Sequence, residues 1–263
     1  MGNNKYELLD ASLKAMNQGA FNLLIARGNP GMGKTHKILD FVKSEGLDYT
    51  YVKTYSTPLR FYELLYKNKD KKIIIFDDLS NLGDPKILGM LKSACWSVLG
   101  EDREINYHTT SKAFEKLKIP EQFKVDASIV LIFNNIPPGF EAISNRGVNI
   151  NFDLKFNDKI VVFKELVDTK DIDEEIIKYV EESCSEATKN LSIRSLVILT
   201  DIKKKGFDWM IFAKEMLRAD SEVKLLIDLV SNHKKLEDAC TEWMKQMGKS
   251  RSTFMRTLRR IKK

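Results

Sequence analysis

The chain has 263 residues, 43% apolar and 30% charged, with a formal net charge of +6, proportions that suit a globular protein of one large domain or roughly two to three small ones. Its longest apolar stretches, such as 73–76 and 129–133, are too short to span a bilayer, and Met1–Lys5 lacks the apolar core of a signal peptide. Cys95, Cys184 and Cys240 are odd in number and lack C-x-x-C spacing, which argues against a zinc site and predicts reduced thiols in a cytoplasmic, intracellular protein with no membrane partner.

In chain order, Asn22–Ala26 reads as a buried strand and Lys34–Lys43 as a helix with Ile38, Leu39 and Val42 on one face. Between them lies Gly28-Asn29-Pro30-Gly31-Met32-Gly33-Lys34-Thr35, a complete G-x-x-x-x-G-K-[ST] loop in the strand–loop–helix context the pattern requires. Glycines let the main chain bend around phosphates, the helix points its positive end inward, Lys34 reaches the β/γ-phosphates and Thr35 offers a hydroxyl to Mg²⁺. A nucleoside triphosphate is the ligand class this predicts.

Tyr49–Lys53 follows as a strand, Pro58–Lys67 as a helix and Lys72–Leu79 as a third element of strand character, its apolar run ending in Asp77-Asp78. A carboxylate at the carboxyl end of a buried strand lies where open α/β sheets bind ligands; Asp77 is the expected metal carboxylate and Asp78 the group that polarises the attacking water. Pro85–Leu99 reads as a helix opened by Asp84 and closed by Gly100. In the less regular 101–127, Glu104–His108 suits one arm of a hairpin, and Lys112, Lys116 and Lys118 give it a basic loop. Ser128–Asn134 is a buried strand, Phe140–Asn145 a short helix and Val148–Phe152 a final strand. The succession predicts a parallel sheet with helices on both faces.

From Asn157 onward only helical spacing is found: Asp158–Leu166, Asp173–Ala187, Ser192–Lys204, Phe207–Arg218, Ser221–Cys240 and Thr241–Lys263. Across the last two stretches Leu236–Met247 carries an apolar stripe, Gly248 breaks it, and Ser250 caps Arg251–Ile261, which is helix–turn–helix spacing. Thr241–Lys263 holds eight basic residues against one acidic, so the remainder of the chain sums to −1. Lys249, Arg251, Ser252, Thr253, Arg256, Arg259 and Arg260 would face phosphates and groove edges of duplex DNA. A basic amphipathic helix docking on a protein is the other reading of the same charges.

The order of phosphate loop, Asp77-Asp78 strand, Asn-ending strand, late arginine and helical tail resembles the AAA+ ATPases over roughly residues 15–215, especially the replication initiators, helicase loaders and clamp loaders. The resemblance implies ATP and Mg²⁺ as cofactors, hydrolysis of ATP, and assembly with copies of itself in a ring or spiral. It implies a P-loop α/β core over 1–156, a helical lid over 157–217 and a basic helix-turn-helix-like module over 218–263. Ile129–Pro137 looks like the family's sensor 1 strand, where Asn-x-Pro spacing favours Asn135 with Asn134 as the alternative. Arg146 lies in a segment like the one that supplies an arginine finger to the neighbouring subunit, and Leu191–Leu196 resembles sensor 2, with Arg194 on the γ-phosphate. Where the family usually has Glu this chain has Asp78, one methylene shorter, which points to slow or switch-like turnover. The implied role is DNA replication initiation, loading of a helicase or other replication protein, or DNA remodelling. A partner-directed, clamp-loader-like or protein-remodelling ATPase is the alternative.

Overall fold

In the computed structural model, residues 5–53, 56–79, 81–96, 101–135, 139–168 and 172–262 are described. They divide into two compact units that meet in sequence at Phe152 and Asp153.

The first unit is built on a five-stranded sheet formed by β1 (Leu23–Arg27), β2 (Tyr49–Val52), β3 (Ile73–Asp77), β6 (Ser128–Phe133) and β7 (Val148–Asn151), in the order β2-β3-β6-β1-β7. Every pairing is parallel. Strand alternation sorts the apolar runs onto two faces. Leu23, Ile25, Ile74, Phe76, Ile129, Leu131 and Phe133 pack with α3 (Pro58–Lys67), α4 (Pro85–Cys95) and α6 (Glu141–Ser144). Leu24, Ala26, Ile73, Ile75, Val130 and Ile132 pack with α1 (Lys5–Asn17) and α2 (Lys34–Ser44). Burial on both sides is why these strands read as unbroken apolar runs rather than as alternations. Helix α1 adds Leu9, Leu13 and Met16 to the second face.

The predicted hairpin arm finds its partner: β4 (Glu104–Asn106) pairs antiparallel with β5 (Gln122–Lys124), and α5 (Lys112–Leu117) sits between them. Tyr62 of α3 joins Tyr107, Phe114 and Phe123 in one aromatic cluster that seats this insertion. Arg103 fastens its root, donating from Nη1 to the carbonyls of Ala94 and Ala127 at 2.8 Å each and from Nη2 to that of Asp126 at 2.7 Å. One guanidinium thereby satisfies a carbonyl at the end of α4 and two just before β6. Lys112, Lys116 and Lys118 are exposed.

Helix α4 begins as expected, with Asp84 accepting from Lys86 and Ile87, and ends at Cys95 instead of running to Leu99; Leu99 and the expected closing Gly100 lie outside the described residues. Gly147 is required by packing rather than by a turn. A Cβ there would stand 2.3 Å from the Leu23 carbonyl oxygen and 2.6 Å from Leu23 Cβ. Both are in a central strand that cannot retreat, so Gly147→Ala should lower stability by about 1–3 kcal/mol, read as a fall in the thermal midpoint.

The second unit is helical: α7 (Phe156–Asp168), α8 (Glu174–Ser183), α9 (Ile193–Lys204), α10 (Trp209–Met216), α11 (Ser221–Asn232), α12 (Leu236–Met247) and α13 (Arg251–Lys262). The single helix expected over Ser221–Cys240 is two. Helix α11 ends at Asn232, His233 is extended, and α12 starts after Lys235 with no side-chain cap. The last three helices close on Leu226, Leu229, Ala239, Cys240, Trp243, Phe254 and Leu258. Gly248, at φ +64°, makes the left-handed turn between α12 and α13 that a side chain would oppose. A bridge between Thr188 and Ala219 and the bond from the Asp220 amide to the Ala187 carbonyl (2.7 Å) tie the start of α11 to the loop before α9. Among the described residues no helix is long and apolar enough to cross a membrane.

Candidate nucleotide site

The phosphate loop leaves β1 at the carboxyl edge of the sheet and enters α2 directly. Gly28, Gly31 and Gly33 have φ of +126°, +70° and +73°, conformations that side chains resist and that turn successive amides to one side. Gly33 is the N-cap of α2 and offers no side-chain cap, so the first amides of that helix are left for an anion. Lys34 is nearly buried and folds over the loop, donating to the carbonyls of Gly28 (2.7 Å) and Asn29 (2.8 Å). Tyr6 of α1 donates to the Met32 carbonyl and packs edge-on against Phe152, bracing the loop from outside.

The two aspartates after β3 have different surroundings. Asp77 is buried, and its Oδ2 accepts from the Thr35 hydroxyl at 3.1 Å and from the Tyr51 hydroxyl at 2.6 Å. Burial, then the bond and charge of Asp77 and the charge of Asp78, push the Tyr51 phenol well above its usual pKa, so it stays a donor. Asp78 is exposed at φ +50°, in the left-handed region that Asp tolerates better than most residues. Its carboxylate accepts from Asn134 Nδ2 at 3.2 and 3.4 Å.

Asn134 also accepts from Lys34 Nζ at 3.3 Å. The chain Lys34–Asn134–Asp78 thus crosses from the phosphate loop through the end of β6 to the end of β3. Asn135, which the Asn-x-Pro spacing favours, is exposed and outside this chain of bonds, while Pro137 lies outside the described residues. Both asparagines lie just past the end of β6, and of the two it is Asn134 that bonds Lys34 and Asp78.

Arg146 follows α6 and folds back, its Nη1 donating to the Ala142 carbonyl within that short helix. Its charge is also felt by the buried Cys95 thiol, whose pKa burial nevertheless pushes up to about 12. Arg194 belongs to the second unit. It stands exposed in the first turn of α9, behind a capping box of Ser192 and Ser195. A cation there opposes the helix dipole, so helix stability does not account for it.

On the terminal helices, Lys249 pairs with Glu222, and Arg251 lies 3.7 Å from Glu237. Ser252 and Thr253 share hydroxyl contacts with Ser250. Arg256 and Arg259 are exposed, whereas the Arg260 side chain is outside the described residues.

Neither Tyr51 nor Arg103 stands out in the sequence. Tyr51 could have been found from its place near the end of a strand beside the Asp77 strand; nothing local singles out Arg103.

Fold and loop together define an α/β module with a phosphate-loop motif between the first strand of a parallel sheet and the helix that follows it. Among solved structures it is similar to a point mutant of Thermotoga maritima RuvB, with TM-score 0.52 and 12% identity over 96% of this chain and 84% of that one. It is also similar to the T. maritima RuvB described as a Holliday junction branch migration motor, with TM-score 0.50 and 13% identity over 95% and 83%. No family model matches the chain, and no curated protein matches it.

Proposed function

We propose that this protein is an oligomeric AAA+ ATPase that binds and hydrolyses ATP with Mg²⁺ and acts on duplex DNA, in replication initiation, helicase loading or DNA remodelling. The observation that carries the reading is the convergence of Lys34, Thr35, Asp77, Asp78 and Asn134 at one end of a parallel sheet, joined by direct hydrogen bonds.

The residues fit the cofactors. A hydroxyl and a carboxylate 3.1 Å apart make an all-oxygen donor set suited to Mg²⁺, and Lys34, held by loop carbonyls, is placed to exchange them for phosphate oxygens. When bound there, Mg²⁺ would supply positive charge to offset the negative charge of the phosphates. Thr35 and Asp77 hold the metal in this reading. Asp78 orients the attacking water, and Asn134 fixes Asp78 and reports on Lys34. Asn135 is then left outside the chemistry. Arg146 serves a neighbouring subunit's site, which requires self-assembly, and Arg194 serves its own site from the helical lid. The proposed division is an α/β core over 1–156, a lid over 157–217 and a basic terminal module over 218–263.

A DNA substrate is supported by the three-helix terminal module, by exposed Arg256 and Arg259 on its last helix, and by the description of the similar RuvB as a Holliday junction branch migration motor. The pairing of Lys249 with Glu222 and of Arg251 with Glu237 reduces the free charge and favours the second reading, a partner-directed ATPase whose tail is a protein interface. Duplex binding by the full chain separates them. Log K should fall with log salt at a slope of about −3 to −5, and Arg256→Ala with Arg259→Ala should make it shallower by about 2. Absence of duplex binding at low salt would leave only the partner-directed reading.

A further inference from the structure

We propose that Tyr51 is a positioning residue for the metal site, holding Asp77 in the orientation that faces Thr35; this rests on the nucleotide-site reading above. The phenol belongs to no part of the phosphate-loop pattern and comes from the edge strand of the sheet. Tyr51 of β2 is in register with Ile75 of β3. Side chains alternate along a strand, so Asp77, two residues beyond Ile75, lies on the same face. A tyrosine leaning along the strand spans that offset, and its hydroxyl arrives 2.6 Å from Asp77 Oδ2. This is the short separation of a charge-assisted O–H···O⁻ bond. The preceding residue, Thr50, faces the other way and spends its hydroxyl on Asn68.

Two hydroxyls therefore reach one carboxylate oxygen, Thr35 from α2 and Tyr51 from β2. Asp77 is only 6% exposed. With water largely excluded, the phenol is a fixed donor that sets the carboxylate plane before any metal arrives. Exposed Asp78 has a separate anchor in Asn134, so the two neighbouring carboxylates are held independently. A phenylalanine would preserve the packing of Tyr51 on the α2 face and delete only the donor.

The test compares full-length wild type, Tyr51→Phe and Asp77→Asn. Mn²⁺ binding in the presence of ADP is measured by electron paramagnetic resonance, ADP affinity is measured with the metal chelated, and the thermal midpoint is recorded. Loss of an orienting partner of a metal ligand typically costs about 10–100-fold in metal affinity. The expected result for Tyr51→Phe is at least about tenfold weaker Mn²⁺ binding, with metal-free ADP affinity and melting as in wild type. Mn²⁺ binding equal to wild type overturns the proposal, as does an equal loss of ADP affinity with and without metal, which would make the phenol a prop for the fold. If wild type itself binds no Mn²⁺ with ADP, the nucleotide-site reading falls first and this inference with it.

Discussion

Lys34→Ala is expected to abolish productive ATP binding. Lys34 is the nearly buried cation of the loop, and its ammonium is held by two carbonyls and the Asn134 amide oxygen. Removing a buried charge from an ionic contact costs about 2–5 kcal/mol, which at about 1.4 kcal/mol per decade is a loss of roughly 30- to 4,000-fold in affinity for Mg-ATP. Calorimetric titration of wild type and variant measures it directly. The Gly28 and Asn29 carbonyls also lose their donor, so a lower melting temperature should accompany the lost binding. Normal ATPase activity in this variant would refute the site.

Arg146→Ala should separate binding from chemistry. Nucleotide binding should persist, because the hydrogen bond Arg146 makes among the described residues goes to the Ala142 carbonyl rather than to the loop. Hydrolysis should fall by roughly 10³-fold or more, the range measured for arginine fingers. A finger works between subunits, so mixing Arg146→Ala with Lys34→Ala protein should restore part of the activity. In a mixed assembly one subunit supplies the arginine and its neighbour the intact loop. The observed contact with the Ala142 carbonyl defines the competing role, a cap on α6. That role predicts a drop in melting temperature with no rescue on mixing, and this outcome would leave Arg146 structural.

The core sheet was legible because its strands are buried on both faces. Runs such as Ile73–Phe76 and Ile129–Phe133 announce themselves without any partner being known, and Asp84 with Pro85 announces the start of α4. Apolar spacing failed at Ser221–Cys240. Val223, Leu226 and Leu229 continue into Leu236, Ala239 and Cys240 at helical intervals, and the turn at 233–235 contains no glycine or proline to mark it. The clamp made by Arg103 was equally invisible, since its three carbonyl partners come from two distant stretches of chain.

At the site, the phosphate loop and the Asp77-Asp78 pair could be read directly, because their chemistry is local: three glycines, a lysine and a hydroxyl within eight residues, and a carboxylate pair closing an apolar strand. That Asn134 is the asparagine bonded to Lys34 and Asp78, that the two aspartates are anchored separately and that Tyr51 reaches Asp77 became visible only in the tertiary structure. The reach of Tyr51 depends on the register of β2 against β3, and a shift of one residue would turn the phenol to the other face of the sheet. Sequence determines which groups are available to grip a phosphate and a metal; the pairing of β2, β3 and β6 determines which of them meet.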